Sequence, residues 1–310
     1  MPAVAAADSS ALAHPDTVEL GRIHWVYASP ILVIHALALL AVVPALFSWT
    51  GLVVGVLGVH VFGQAINVCY HRQLTHRSFR TPKWLERLFV LVALCCLQDT
   101  PGKWVATHRL HHRHSDERPD PHSPLVSFFW AHVGWLMVKN PATASMATYQ
   151  RYAKDVLGDR FYMTLEKRPE LVFVVYLLHA VGFFTVGFGI GCWTGGLSGG
   201  LWFGASLLVW GVFVRTVLVW HITWSVNSLT HLWGYRNYDT NENSRNSWLV
   251  ALLTVGEGWH NNHHADQASA SNQHRWWELD VSYWQIRMLA WVGLARDVKL
   301  PRHVREARRK

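Results

Sequence analysis

The chain has 310 residues, a formal charge of +8, 51% hydrophobic residues, 18 Trp and only four Cys. No C-x-x-C pair is present, which excludes an iron–sulfur site, and four scattered cysteines do not make a disulfide scaffold. The apolar content is typical of a membrane protein. Nucleic-acid binding is not indicated, because the basic residues alternate with the apolar stretches instead of forming one compact face.

Four apolar stretches are long enough to cross a bilayer, which takes about 20 helical residues. They are residues 30–49, 52–69, 171–193 and 201–224. Buried core helices of a soluble protein are the alternative, and the near absence of charge inside the stretches disfavours it. Arg215 is the exception in the fourth stretch; it either reaches the interface or meets a substrate headgroup. The sequence therefore predicts an all-α integral membrane protein with four transmembrane helices in two hairpins and a cytosolic helical cap.

Lys and Arg number fifteen between the second and third stretches and eleven after the fourth, with none in the links around residues 50–51 and 194–200. The positive-inside rule then predicts that both basic segments and both termini are cytoplasmic, as in a bacterial inner membrane. The predicted organisation is a flexible tail without a signal peptide (1–29), a transmembrane hairpin (30–70), a cytosolic segment (71–170), a second hairpin (171–224) and a cytosolic segment with a basic tail (225–310).

Three histidine clusters lie in the predicted cytosolic segments and hence on one side of the membrane. They are HRQLTH with His71 and His76, HRLHH with His108, His111 and His112, and HNNHH with His260, His263 and His264. Imidazole is the commonest metal ligand near neutral pH. On a helix, H-x-x-H-H places its first and last two rings on one face, with the adjacent pair splayed by about 100°. Neighbouring rings can then bind different metals, which predicts a two-metal centre.

The residue types narrow the metal to iron, zinc or copper, because sulfur ligands are absent. A zinc site needs only about four ligands, fewer than the histidines here. A two-metal site at a membrane surface suggests chemistry on a lipid chain. Such a chain offers only unactivated C–H bonds, so iron that activates O2 is favoured over zinc. Asp116, Asp120 and Glu257 lie beside the clusters and are predicted to accept the outer N–H of ligating rings. Solvated loop charges are the alternative for these acids.

The segments HRQLTHRSF, HRLHHRHSDERPDPH, NSLTHLWGYRNYD and GEGWHNNHH resemble the membrane fatty acid desaturase family, in particular its Δ9 acyl-CoA and acyl-lipid members. The resemblance covers residues 67–276. It implies a diiron centre bound by nine histidines, which adds His231 to the eight above, with Asn227 as a ligand through water. It also implies O2 as co-substrate and insertion of a cis double bond near the ninth carbon of a saturated acyl chain.

The resemblance further implies a separate electron donor, either a ferredoxin or a cytochrome b5-like protein with its reductase. Gln98, Thr223 and Trp224 match positions that shape the bend of the family's acyl tunnel. One departure concerns the carrier of the acyl chain. Acyl-CoA members resemble W-A-R-D-H before the second cluster, whereas here Ala106 and Thr107 replace the two charged residues. Both a lipid and CoA therefore stay open as the carrier. Zinc is expected to occupy the metal site in overexpressed protein.

Two other functions fit part of the pattern. A diiron hydroxylase or ketolase acting on another lipid or an alkane would use the same centre, but its product would contain oxygen from O2. A metal transporter or sensor predicts ligands along a path through the spans. Here the clusters lie outside the spans, which disfavours the transporter or sensor. The resemblance of the GEGWHNNHH and NSLTH segments favours desaturation over hydroxylation.

Overall fold

The structure is a computed structural model that describes residues 12–307. Its α-helices are α1 (Trp25–Ala38), α2 (Trp49–Gln64), α3 (Lys83–Leu94), α4 (Pro101–His114), α5 (Trp135–Met137), α6 (Pro141–Ala144), α7 (Met146–Tyr152), α8 (Lys154–Leu157), α9 (Arg160–Lys167), α10 (Glu170–Leu208), α11 (Arg215–Leu229), α12 (Trp248–Thr254), α13 (His260–Ala265), α14 (Val281–Trp291) and α15 (Arg302–Ala307). Short 3₁₀ turns follow α1 (Leu39–Val42, Pro44–Leu46), and π-helical segments occur at Ala65–Thr75, Trp130–Gly134 and Val209–Val214. Residues 12–307 form only isolated β-bridges and no strand, which confirms the all-helical prediction for the described chain.

Three helical stretches are long and apolar enough to cross a membrane: Trp25–Val42, Trp49–Thr75 and Glu170–Leu229. The first begins five residues before the predicted residue 30. The predicted link at residues 50–51 is wrong, because these residues form the first turn of α2. Ser48 caps that helix by accepting the backbone N–H of Gly51 at 2.9 Å, so the chain reverses before Ser48.

The stretch Glu170–Leu229 contains a break in the backbone. Gly195 (φ −145°) and Gly196 (φ 63°, ψ −160°) leave the helical region, and the positive φ of Gly196 is one that glycine adopts without a steric penalty. A Cβ on Gly191 would lie 2.3 Å from the carbonyl oxygen of Gly199, so the backbones on either side of the break touch. The predicted stretches 171–193 and 201–224 lie on the two sides of this reversal.

Residues 12–29 contact the rest of the protein, within the segment 1–29 for which the sequence predicts a flexible tail. Leu12 donates its backbone N–H to Leu125, and His24 donates to Met137 at 2.8 Å. Residues 25–29 already belong to α1. The predicted boundary at residue 29 therefore falls inside a helix, and backbone hydrogen bonds join residues 12–24 to the 125–140 region. Residues 1–11 and the last three residues of the basic tail, 308–310, lie outside the described residues.

The first histidine cluster lies at the end of a span instead of in a separate loop. The π-helical segment Ala65–Thr75 continues α2 without interruption and contains His71; π-helical turns are frequent at functional sites. Arg109 on α4 donates to the carbonyls of Leu74 and Thr75 at 2.9 and 2.7 Å. It thereby fastens the helix of the second cluster to the first.

Candidate metal centre

All nine predicted histidines lie together in two groups, and the nitrogen atoms that face one another in each group lie within 4.8 Å. The five-histidine group consists of His71, His76, His108, His112 and His263. The four-histidine group consists of His111, His231, His260 and His264. The π-helical segment with its C-cap His76, α4, α13 and the turn after α11 supply these side chains.

Each adjacent histidine pair is divided between the two groups. His111 belongs to the four-histidine group and His112 to the five-histidine group, and the same division separates His264 from His263. The ring centroids of His112 and His264 are 4.5 Å apart, so the two groups are in direct contact. The splay of neighbouring side chains on α4 and α13 produces this division.

The ring nitrogens approach one another at distances that fit a metal. Nε2 of His263 lies 3.1 Å from that of His71 and 3.0 Å from that of His112. In the other group, Nε2 of His260 lies 3.2 Å from that of His231 and 3.1 Å from that of His264. Two nitrogens at right angles around a metal, each about 2.1 Å from it, are about 3.0 Å apart.

Buried carboxylates fix which nitrogen of a ring faces inward. Nδ1 of His71 lies 2.9 Å from Glu257, Nδ1 of His111 lies 3.0 Å from Asp120, and Nδ1 of His231 lies 3.0 Å from Asp116. Each Nδ1–H donates to its carboxylate, which leaves the lone pair on the Nε2 that faces the group. Facing lone pairs repel, so a cation between them satisfies these buried nitrogens. The three predicted carboxylates thus contact rings of both groups.

Burial keeps most of these rings neutral, the form that binds a metal. Desolvation, followed by repulsion from neighbouring rings, lowers the pKa of His108, His112, His260, His263 and His264 well below the ordinary value. The pKa of His76 is lowered for the same reasons, and its buried Nε2 has no hydrogen-bond partner among the described residues. A metal is the partner that suits such an atom.

The carboxylates carry their charge at neutral pH. Burial raises the pKa of Glu257, but the charge of Arg72 and the hydrogen bond from His71 outweigh it and lower the value to about 2. Burial likewise opposes ionisation of Asp116, and His231 more than offsets it, so the pKa of Asp116 lies well below its usual range. Each group therefore contains a ring that is hydrogen-bonded to a negatively charged carboxylate.

A cavity of about 460 Å³ opens beside the five-histidine group, and His108 of that group lines it. Asn227 and all three predicted tunnel residues, Gln98, Thr223 and Trp224, also line the cavity. The Gln98 amide donates to the hydroxyl of Thr223 at 3.0 Å, so the two close one wall together. Asn227 is half-buried in that wall. The volume and mainly apolar lining suit an elongated apolar ligand.

Sequence reasoning missed several residues that hold the site. Arg72, fully buried, bonds both Glu257 and Asp280, at 2.8 Å each. Glu242 lies 3.6 Å from Nδ1 of His264 and 3.8 Å from that of His231. Only adjacency to His71 in HRQLTH could have drawn attention to Arg72, because its partners are about 200 residues away in sequence.

The cavity also contains a polar cluster that the sequence did not indicate. Tyr27 on α1 contacts Asp99 and Lys103, which precede and begin α4 respectively. Glu166 accepts the backbone N–H of Gly102 at 2.6 Å and so compensates the positive end of α4. These groups lie at the end of the helix that bears three of the nine histidines.

Long apolar helices that are candidate membrane spans, together with two histidine groups that could each hold a metal ion, are the features expected of a membrane metalloprotein. The sequence profile of the fatty acid desaturase family matches residues 47–303. The chain is 43% identical to the sn-1 stearoyl-lipid 9-desaturase of Synechocystis sp. over 86% of its own length and 78% of that protein. It is 42% identical to the sn-1 stearoyl-lipid 9-desaturase of Anabaena variabilis, over 90% and 95% of the two chains.

An acyl-CoA C20 Delta5-desaturase of Anemone leveillei is 39% identical, over 87% of this chain and 80% of that protein. The protein belongs to the fatty acid desaturase family. This confirms the resemblance drawn from the histidine motifs. Relatives named for lipid and for CoA carriers have similar identities, so similarity alone does not choose the carrier.

Proposed function

We propose that this protein is an O2-dependent desaturase that introduces a cis double bond at the Δ9 position of a saturated long-chain acyl group. The observation that carries the proposal is one cavity that is lined both by the predicted metal-site residues His108 and Asn227 and by the three predicted tunnel residues. The cavity that reaches His108 and Asn227 has a mainly apolar lining and a volume of about 460 Å³, which suit an acyl chain. Relatives named as 9-desaturases support the position of the bond.

The proposed cofactor is a pair of irons, one held by each histidine group, with Asn227 completing the four-histidine group through water. Five ligands in one group exceed the four that zinc takes, and the right-angled nitrogen spacing fits a higher coordination number. When bound, two irons supply the oxidising power, from O2 and two electrons, for removing two hydrogens from adjacent carbons. Zinc is expected to replace iron in overexpressed protein, because histidine sites accept it readily.

The chain's own residues position the substrate and exclude water. Gln98, Thr223 and Trp224 form the wall against which the acyl chain bends, and Trp104 stacks on His108 with ring centroids 4.9 Å apart. The apolar lining binds the remote methylenes, and that binding energy holds two carbons beside the metals. Asp120, Asp116 and Glu257 keep the ligating rings oriented.

The proposed topology has four spans, because the break at Gly195 and Gly196 separates two stretches that are each long enough to cross a bilayer. The basic segments then lie with the metal centre and both termini on the cytoplasmic side. Two helices outside the spans support a cap that rests on the membrane. Apolar side chains on α12 and α14 are strongly exposed, among them Leu252, Met288 and Trp291.

The acyl carrier is proposed to be a lipid or CoA, and the electrons to come from a separate ferredoxin or cytochrome b5-like protein. Two observations favour a lipid. Ala106 and Thr107 replace the charged pair of acyl-CoA members. In addition, Lys103, the cation in the cavity wall, is bound by Tyr27 and Asp99 and so is not free for CoA phosphates.

The test is the fatty acid profile, by gas chromatography–mass spectrometry, of cells expressing the wild type, the double variant His111→Ala, His112→Ala, or His114→Ala. The last is a matched control on the same helix, since His114 belongs to neither group. New 9-monounsaturated chains are expected from the wild type and the control only. An unchanged profile from well-expressed, iron-containing wild type would contradict desaturation, and hydroxylated chains would indicate the alternative enzyme.

A further inference from the structure

Arg215 is fully buried inside the apolar stretch Glu170–Leu229. A buried charge in such a stretch is costly and usually has a function. Its partners lie within the protein. Its guanidinium donates to the carbonyl of Cys95 at 2.9 Å, lies 2.9 Å from Nε2 of His179, and stacks 4.0 Å from the ring of Phe62. The guanidinium therefore has partners inside the protein, whereas the sequence suggested the interface or a substrate headgroup.

The Cys95 carbonyl lies at the C-terminal end of α3, where helix carbonyls lack partners and carry partial negative charge. Arg215 supplies a hydrogen-bond donor to this carbonyl. One helical turn further along α11, the indole N–H of Trp220 donates to the next carbonyl, Cys96, at 2.6 Å. Two side chains of α11 thus hold the two residues at which α3 ends.

The turn that follows is strained and carries a tunnel residue. Leu97 and Asp99 have positive φ values of 51° and 69°, which non-glycine residues rarely adopt. Gln98 lies between them and bonds Thr223 in the cavity wall. Such a conformation persists only where its surroundings impose it. Here the clamp from Arg215 and Trp220 imposes it on one side, and the start of α4 at Pro101 on the other.

We propose that Arg215 is a positioning residue that fixes the turn carrying Gln98, and thereby determines which carbon of the acyl chain is desaturated. The turn lies between the end of α3 and the helix of His108, His111 and His112, so its position sets where the acyl chain bends relative to the metals. A displacement of about 1 Å is enough to change reactivity by about 100-fold at a positioned carbon. A loosened turn lets neighbouring carbons occupy the reactive position.

This inference rests on the proposed function, and one experiment separates the two. Cells express the wild type, Arg215→Lys, Arg215→Met or Thr216→Val, and double-bond positions are mapped by mass spectrometry of dimethyl disulfide adducts. Protein level and metal content are measured in the same cells. Thr216 is the matched control: it is adjacent, fully buried and hydrogen-bonded to Tyr176, away from the turn.

Arg215→Met removes the donors to Cys95, and the share of products desaturated at neighbouring positions should rise on the order of tenfold. Arg215→Lys keeps the charge but not the fork of donors, and a smaller rise is expected. Thr216→Val should keep the wild-type position. A change in yield alone would indicate a merely structural role.

An unchanged bond position in either Arg215 variant would overturn the inference, as would an equal shift in Thr216→Val. Failure of both Arg215 variants to accumulate would assign this residue to folding and also overturn it. Absence of new unsaturated chains from the wild type would instead contradict the proposed function.

Discussion

Glu257→Gln tests the carboxylates that orient the rings. Glu257 accepts from Nδ1 of His71 at 2.9 Å, from Nε of Arg72 at 2.9 Å and from the amide of Asn272 at 3.1 Å. A glutamine has only one acceptor oxygen, so its NH₂ faces either the donors of Arg72 or those of His71 and Asn272. The variant also removes the charge that balances the buried Arg72, which then keeps only Asp280.

Breaking a buried ion pair costs about 3–5 kcal/mol, and we expect the lower end because Asp280 remains. Losing the partner of a ligating histidine typically costs 10–100-fold in metal affinity. One of two bound metals, that of the five-histidine group, should therefore become more weakly held. The assay is chelator competition on the purified metal-loaded protein, followed by the melting temperature of the metal-free form.

Glu117→Gln is the matched control. Glu117 accepts from Nδ1 of His114 at 2.9 Å, but its carboxylate is 65% exposed and neither residue belongs to a histidine group. Such an exposed pair is worth at most about 1 kcal/mol. If Glu257→Gln kept both metals as tightly as Glu117→Gln, the argument that carboxylates orient the ligands would be wrong.

Three further predictions concern packing and pH. Gly191→Val should sharply reduce the amount of folded protein, because a Cβ at this position would lie 2.3 Å from the carbonyl oxygen of Gly199. Gly189→Val is the control and should not, because the space around its Cβ is open. Fluorescence size-exclusion profiles compare the two variants. Arg109→Ala should lower metal content, because three hydrogen bonds from Arg109 to the carbonyls of Leu74 and Thr75, which join the first two clusters, are lost. Equal metal content would contradict this. Partial burial raises the pKa of Asp155, but Arg109 outweighs it and lowers the value. The contribution of this pair to stability is therefore present above about pH 4 and fades as pH falls further, a dependence that Asp155→Asn should abolish in acid melting curves.

The division of the histidines was predictable from local geometry. Spacings of three and four residues are fixed by the helix, so the separation of His111 from His112 follows once α4 is helical. The Gly-rich link after residue 193 was likewise visible, because glycine pairs favour a reversal. The first link was wrongly predicted at residues 50–51. The residue that caps α2 is Ser48, and a single serine does not by itself identify a helix start in the sequence.

Long-range polar contacts could not be predicted. Arg72 pairs with Asp280 across 208 residues, and Arg215 reaches Cys95 across 120. Neither pairing has a local signature, because each depends on how separate helices pack. A charge inside an apolar stretch indicates that some partner exists, but only the fold identifies the end of α3 as that partner.

The most direct test of the account is the fate of oxygen during turnover. Purified, iron-loaded protein is reduced in the presence of a stearoyl lipid and O2 labelled with oxygen-18, and the acyl products are analysed by mass spectrometry. Desaturation predicts a 9-monounsaturated chain without label, with the labelled oxygen recovered in water. A labelled hydroxyl group on the acyl chain, with no new double bond, would contradict the central claim.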